Sequence, residues 1–162
     1  MKWQNWILVA AVMVSTGGCV RMILPTSIEE IEKRAFEGQR EILVDVDYVE
    51  AYRNMKRYYD KCLNDTVSQY QTSSVESKLE RDKGTAQFVG VEPFGTYSFV
   101  INLSDQGESK TLIRYLRPVP KGVANLFLGK QRQQNILIKE FKFLEKLSKL
   151  NPEDWNSCSQ IR

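Results

Sequence analysis

The sequence predicts an α+β domain in which an antiparallel sheet of about five strands packs against helices. Three observations support this class. The stretch "EILVDVD" at positions 41–47 alternates between apolar and polar residues, as a half-buried strand does. Four further strand-like runs follow between positions 75 and 117, and their short joints favour antiparallel neighbours. Helical spacing before and after these runs separates the helices from the sheet strands, which is typical of α+β domains.

The first two helices are indicated by their capping residues. Ser27 and Glu30 form a capping-box pattern, which predicts a short helix that ends near Gly38. Asp47 is predicted to cap a second helix, because helical periodicity begins directly after it. The apolar face of this helix consists of Tyr48, Tyr52, Met55, Tyr59 and Cys62. Its tyrosines, together with Tyr58, are predicted to be core residues, with the lining of a ligand cavity as the alternative.

The strands between the helices are predicted at 75–80, 85–91, 96–103 and 110–117. Glycine or proline stands in each joint, as turns require. In the third of these strands, alternate residues should share one face of the sheet. These residues are Tyr97, Phe99, Ile101 and Leu103.

The last long helix is predicted at 136–150, where apolar residues cover about half of the helical circumference. The opposite side carries Lys139, Lys142, Lys146 and Lys149. The segment 110–149 contains ten basic and two acidic residues, a net charge of +8, whereas 27–108 has ten basic and sixteen acidic residues, a net charge of −6. Such a dipolar chain can orient on an anionic surface. The lysines therefore indicate either a binding face for an anionic surface or partner, or an ordinary solvated helix face.

The first eighteen residues have the order of a secretory signal. Lys2 is followed by the apolar run "WILVAAVMV" and then by small residues, and this run is too short to span a membrane. Because Cys19 stands directly behind the small residues, the segment resembles a bacterial lipoprotein signal. The resemblance implies cleavage before Cys19 and acylation of this cysteine, which would anchor the protein stably in a membrane. Thr16 departs from the aliphatic residue that the family prefers, so ordinary cleavage near Gly18 with a free Cys19 thiol is the alternative.

The resemblance also implies a location and a domain organisation. Val20, rather than Asp, follows the cysteine, which in Gram-negative lipoproteins implies the outer membrane, facing the periplasm. We therefore expect a signal peptide at 1–18, a lipidated cysteine with a short tether at 19–26, and a single α+β domain at 27–162. The tether after Cys19 reaches at most about 25 Å, so the domain would stay close to the membrane.

Two further cysteines form an even set once Cys19 is acylated. Secretion permits disulfide formation, and a bridge between Cys62 and Cys158 is the natural pairing. Two buried thiols are the alternative.

The sequence offers little that could carry catalysis. The absence of histidine excludes Ser-His-Asp and Cys-His mechanisms and removes the commonest metal ligand, so we expect no catalytic residue, metal or cofactor. Asp45 and Asp47 are spaced as a carboxylate pair could be, but a strand-surface residue and a helix cap explain them better. The glycines form no phosphate-binding fingerprint. Secretion disfavours nucleic acid as a partner.

The order of elements resembles the helix-grip class, in which a curved sheet wraps a long C-terminal helix. Similar domains occur in a lipoprotein subunit of the outer-membrane β-barrel assembly machinery. The segment "VDVDYVEAYRNMKRYYDKC" also resembles the strand-to-helix opening of small Gram-negative lipoproteins, which implies no catalytic residues.

These observations predict a non-enzymatic, lipid-anchored envelope module with assembly or interaction duties. Its partners would be the membrane, through Cys19, and an envelope protein or peptidoglycan, through the lysine face. The alternative is a ligand-binding carrier with a cavity between the sheet and the C-terminal helix, as occurs in helix-grip domains.

Overall fold

The computed structural model describes residues 24–35, 40–64, 73–118 and 130–150, together with Cys158. Within these ranges the chain forms three α-helices and five β-strands. In chain order they are α1 (Ile28–Arg34), β1 (Arg40–Val44), α2 (Tyr48–Tyr59), β2 (Ser74–Glu80), β3 (Thr85–Glu92), β4 (Thr96–Asp105), β5 (Thr111–Leu116) and α3 (Lys130–Lys149). Cys19 and the rest of the predicted signal lie outside the described residues.

The five strands form one antiparallel sheet in the order β1-β5-β4-β3-β2. Strands β2 to β5 are consecutive neighbours, because their short joints allow only antiparallel pairing. Strand β1 pairs with β5, so that Ile42 stands opposite Ile113. Helix α2 connects the two edge strands β1 and β2 across one face of the sheet. The predicted α+β class with a five-stranded antiparallel sheet is therefore confirmed.

The main core lies between one face of the sheet and helices α2 and α3. Met55 of α2, Phe88 of β3 and Leu147 of α3 are almost fully buried in it. The helices are also joined by a buried hydrogen bond, which the Asn54 side-chain amide donates to the Ser148 carbonyl at 3.0 Å. The predicted apolar face of α2 is confirmed, since four of its five residues are buried and Tyr52 packs against them.

A second, smaller core lies on the opposite face of the sheet. Successive strand residues point to opposite faces, so Phe88 belongs to the main core and Val89 to the second. In the same way Ile101 packs towards α2 and Val100 packs against Ile31 of α1. The sheet is thus covered by α2 and α3 on one side and partly by α1 on the other. The resemblance to the helix-grip class stays a prediction.

A β-bulge corrects the predicted face of Tyr97. Gly90 stands opposite Phe99 but Val91 stands opposite Tyr97, so Ser98 is an extra residue in β4. One extra residue turns the preceding side chain to the other face. Tyr97 consequently packs in the second core, whereas Phe99, Ile101 and Leu103 face the main core as predicted.

Three helix boundaries also differ from the prediction. Helix α3 begins at Lys130, six residues before the predicted start, because "KQRQQN" favours helix without any apolar residue that could show a period. Helix α2 ends at Tyr59, and a π-helical turn, Asp60–Asn64, carries Cys62. Helix α1 ends at Arg34, before the predicted end near Gly38, because Ala35 leaves the helical conformation and forms a β-bridge with Pro118.

The predicted disulfide between Cys62 and Cys158 is present, with a Cα–Cα distance of 5.6 Å. It spans 96 positions of the sequence and attaches the C-terminal segment to the turn after α2. Of the helices in the described part of the chain, none combines the length and the apolar character needed to cross a membrane.

Candidate functional site

The first candidate site is the basic stripe, which we define as Lys139, Lys142, Lys146 and Lys149 of α3. All four side chains are exposed. Their spacing of three, four and three residues places them on one side of the helix over a length of about 15 Å. The opposite side carries Phe141, Leu144 and Leu147, which are buried in the main core. Solvent exposure of these lysines therefore follows from how α3 is packed.

The two acidic residues of α3 make different ion pairs. Glu145 accepts a hydrogen bond from Lys149 at 2.9 Å, an exposed pair that salt screens. The other acidic residue of α3, Glu140, instead pairs with Arg117 at 2.6 Å, beside the sheet. Glu140 is therefore turned to the sheet rather than to the basic stripe.

The basic stripe and the N-terminal chain lie on opposite sides of the sheet. The Pro25 carbonyl accepts a hydrogen bond from the Tyr97 amide at 2.9 Å, and Ile28 of α1 packs in the second core. Helix α3 packs on the main core, across the sheet from α1. Residues 25–34 therefore lie on the side of the sheet away from the lysines.

The second candidate site is the aromatic pocket, a half-open cavity of about 380 Å³ between the sheet, the end of α2 and the middle of α3. Its apolar walls are Tyr58, Tyr59, Leu63, Phe99, Tyr115, Phe143 and Leu144. Its polar groups are Glu92, Ser98, Arg117 and Glu140. A mainly apolar cavity of this size with a few polar groups is typical of small-molecule sites.

Burial shapes the electrostatics of the aromatic pocket. Loss of solvent raises the pKa of Tyr59 and of Tyr115 well above the ordinary tyrosine value, and the negative charge of Glu140 raises both further. Both phenols are therefore neutral at physiological pH.

The third candidate site is a polar row on the α1 side of the sheet, in the part that α1 leaves uncovered. Cross-strand register places one residue from each strand in line, in the order Glu41, Arg114, Asn102, Gln87 and Lys78. Gln87 donates to Asn102 at 2.9 Å, and the Arg114 Nε lies 3.6 Å from Glu41. An open groove of about 440 Å³ follows this row. Its groups are largely engaged with each other, as on a solvated sheet face.

Asp45 and Asp47 have the structural roles that the sequence favours over a catalytic pair. Asp47 caps α2 as expected, and its Oδ1 accepts hydrogen bonds from the amides of Val49 at 2.9 Å and Glu50 at 3.3 Å. Asp45 is exposed just after β1. Among the described residues, no three side chains of the metal-ligating types come together as an ion site.

Sequence reasoning identified only part of the aromatic pocket. Tyr58 and Tyr59 were among the tyrosines considered for a cavity and do line it, whereas Tyr48 and Tyr52 lie elsewhere on α2. The remaining rings come from β4, β5 and α3, which only the folded chain brings together. No family model matches this chain, and no curated protein is similar enough in sequence to count as a match.

Proposed function

We propose that the protein is a non-enzymatic, lipid-anchored envelope module that binds an acidic partner through its basic stripe. The anchor would be Cys19, at the periplasmic face of the outer membrane. The observation that supports this function is the exposed stripe of four lysines on the side of the sheet away from the N-terminal chain. Anchored through that chain, the domain would present its lysines away from the membrane, towards peptidoglycan carboxylates or an acidic envelope protein.

Co-sedimentation tests this binding function. The chain carrying Cys19→Ser removes any lipid anchor, so that pelleting with envelope fractions reports the protein surface alone. We expect Lys142→Glu combined with Lys146→Glu to reduce pelleting strongly while the domain stays folded, because both side chains are exposed. Binding by the parent chain should also fall with salt.

The matched control is Lys33→Glu combined with Lys78→Glu. Both lysines are exposed and lie on α1 and β2, away from the basic stripe, and the double substitution changes the charge by the same amount. Equal pelleting of the parent chain and both double variants would refute a role for the basic stripe. Separate trials with purified peptidoglycan and with envelope proteins then distinguish the two kinds of partner.

The lipid anchor has its own test in the intact mass of the protein purified from its host's membranes. The proposal expects a mass that begins at Cys19 and includes acyl chains. A mass without lipid would remove the anchor from the proposal and leave a secreted domain, whose basic stripe is tested independently as above.

The aromatic pocket favours a second candidate function, that of a ligand-binding carrier. The cavity lies between the sheet and the C-terminal helix, where the carrier alternative expects one. Its walls supply apolar surface for burial of a small molecule, and its polar groups can fix the orientation of that molecule.

A further inference from the structure

Five aromatic rings form a continuous chain around the aromatic pocket. The ring centroids of Phe143 and Tyr58 are 5.2 Å apart, and those of Tyr58 and Tyr59 are 5.6 Å apart. Tyr59 is followed by Phe99 at 6.2 Å, and Phe99 by Tyr115 at 6.0 Å. Adjacent planes are tilted by between 32° and 71°, so the rings curve around the space rather than stack. Aromatic faces arranged in this way attract a cation by its interaction with their π-electrons.

Glu140 contributes a carboxylate to this pocket. Its Oε1 accepts a hydrogen bond from Arg117 Nη1 at 2.6 Å. Burial raises the pKa of Tyr115, and the charge of Glu140 and hydrogen bonding to its side chain raise this pKa further. The Glu140 charge therefore lies against the ring chain, where a cation would interact with the carboxylate and the rings together.

The fixed charges around the aromatic pocket favour a positive occupant. Glu92 and Glu140 are acidic and Arg117 is basic, so the lining has a net charge of −1. Glu92 also accepts a hydrogen bond from Ser73 at 2.5 Å, which orients its carboxylate at the pocket edge. Arg117 is about half exposed and pairs with Glu140 Oε1, so its own positive charge is already engaged.

We propose that the aromatic pocket binds a small organic ammonium ion, with its charged nitrogen at the Glu140 carboxylate and its apolar body against the rings of Tyr59, Phe99 and Phe143. This inference rests on the carrier function and is independent of the basic stripe. An ammonium group satisfies the carboxylate and the ring faces together, whereas a neutral apolar molecule satisfies only the rings and an anion is repelled by the carboxylates.

An NMR titration with three probes of nearly equal size and different charge tests the proposal. The full chain is used as its host processes it, with the disulfide intact, and the probes are benzylammonium, benzyl alcohol and benzoate. The aromatic resonances of Phe99 and Phe143 report whether a probe occupies the pocket. We expect benzylammonium to bind about tenfold more tightly than benzyl alcohol, and benzoate to bind most weakly.

Glu140→Gln keeps the shape of the side chain and removes its charge. It should weaken benzylammonium binding about tenfold and leave benzyl alcohol binding unchanged. Glu145→Gln is the matched control on the same helix, because Glu145 pairs with Lys149 outside the pocket, and it should change neither. Thermal unfolding of both variants checks that the fold is kept.

The outcomes separate the inference from the functions proposed above. Equal binding of the three probes in the pocket would overturn the ammonium preference and keep the carrier function. Tighter binding of benzoate would overturn it as well and assign the pocket to anions through Arg117. Absence of all three probes from the pocket would overturn both the inference and the carrier function, while leaving the basic stripe to its own test.

Discussion

At the scale of single residues, Asn54 is a polar side chain that joins the two long helices directly. It is 4% exposed, and its amide donates to the Ser148 carbonyl at 3.0 Å across the interface of α2 and α3. This carbonyl is in the last turn of α3, so no backbone amide within the helix is available to donate to it. A side chain of α2 thus completes the last turn of α3.

Replacement of Asn54 by Ala should lower the free energy of unfolding by about 1–3 kcal/mol, since it leaves a buried acceptor without a partner. Denaturant unfolding monitored by circular dichroism measures the change. Arg53→Ala, at the exposed neighbouring position, should stay within about 0.5 kcal/mol of the parent chain. If Asn54→Ala lowers the free energy of unfolding no more than this control does, the hydrogen bond of Asn54 does not stabilise the contact between the helices.

Asn64 shows how a single residue can govern an edge strand. Its side-chain amide donates to the Val75 carbonyl at 3.1 Å, and its oxygen accepts from the Val75 amide at 3.0 Å. The side chain therefore replaces a neighbouring strand at the start of β2 and covers backbone groups that would otherwise be open to another chain. Nothing in the local sequence of Asn64 predicts a partner eleven residues away.

At the scale of elements, the bulge in β4 is the feature that shapes the aromatic pocket. Ser98 is the inserted residue, and it brings Phe99 opposite Gly90, where the Phe99 ring lies over the glycine. A Cβ atom at Gly90 would stand 2.5 Å from both Phe99 Cε1 and Ser98 Oγ, which real contacts do not allow. Close approach of a ring to a strand backbone is one reason for a glycine inside a strand.

Gly90→Ala should therefore destabilise the domain by about 1–3 kcal/mol and displace the Phe99 ring from the pocket wall. Urea unfolding gives the first effect, and the NMR resonances of Phe99 give the second. Gly107→Ala is the comparison, because Gly107 has a φ of 76° but open space around it, so it should cost only about 1 kcal/mol and leave Phe99 in place. An unshifted Phe99 in Gly90→Ala would show that the ring does not depend on the glycine.

Local patterns predicted the elements well because each has a period or a cap of its own. The alternation of Ile42 and Val44, and the cap at Asp47, require no knowledge of the rest of the chain. The bulge at Ser98 could not be predicted, because the alternation of apolar residues continues through it to Tyr97. The start of α3 was missed for the opposite reason, since its first turns contain no apolar residue.

At the scale of the whole molecule, the disulfide and the aromatic pocket differ in what the sequence could predict. Cysteine counting was enough for Cys62 and Cys158, because two cysteines set apart from Cys19 have one possible connection. By the chain-entropy argument, closing a loop of this length raises the free energy of the unfolded chain by roughly 4–5 kcal/mol. The pocket needs rings from four elements, and only the topology of the sheet brings these together.

The buried phenols of Tyr59 and Tyr115 link the stability of the whole fold to alkaline pH. Burial raises the pKa of both hydroxyls in the folded state, whereas in the unfolded chain they ionise near pH 10. Above that pH the unfolded chain binds fewer protons than the folded one, so stability should fall by about 1.4 kcal/mol per pH unit for each tyrosine.

This loss of stability requires the tyrosine hydroxyls, so Tyr59→Phe combined with Tyr115→Phe should move the alkaline unfolding midpoint to higher pH. Absorbance at the tyrosinate band would report ionisation of the tyrosines, and circular dichroism would report unfolding of the chain. Ionisation of these two residues while the fold remains intact would contradict the prediction.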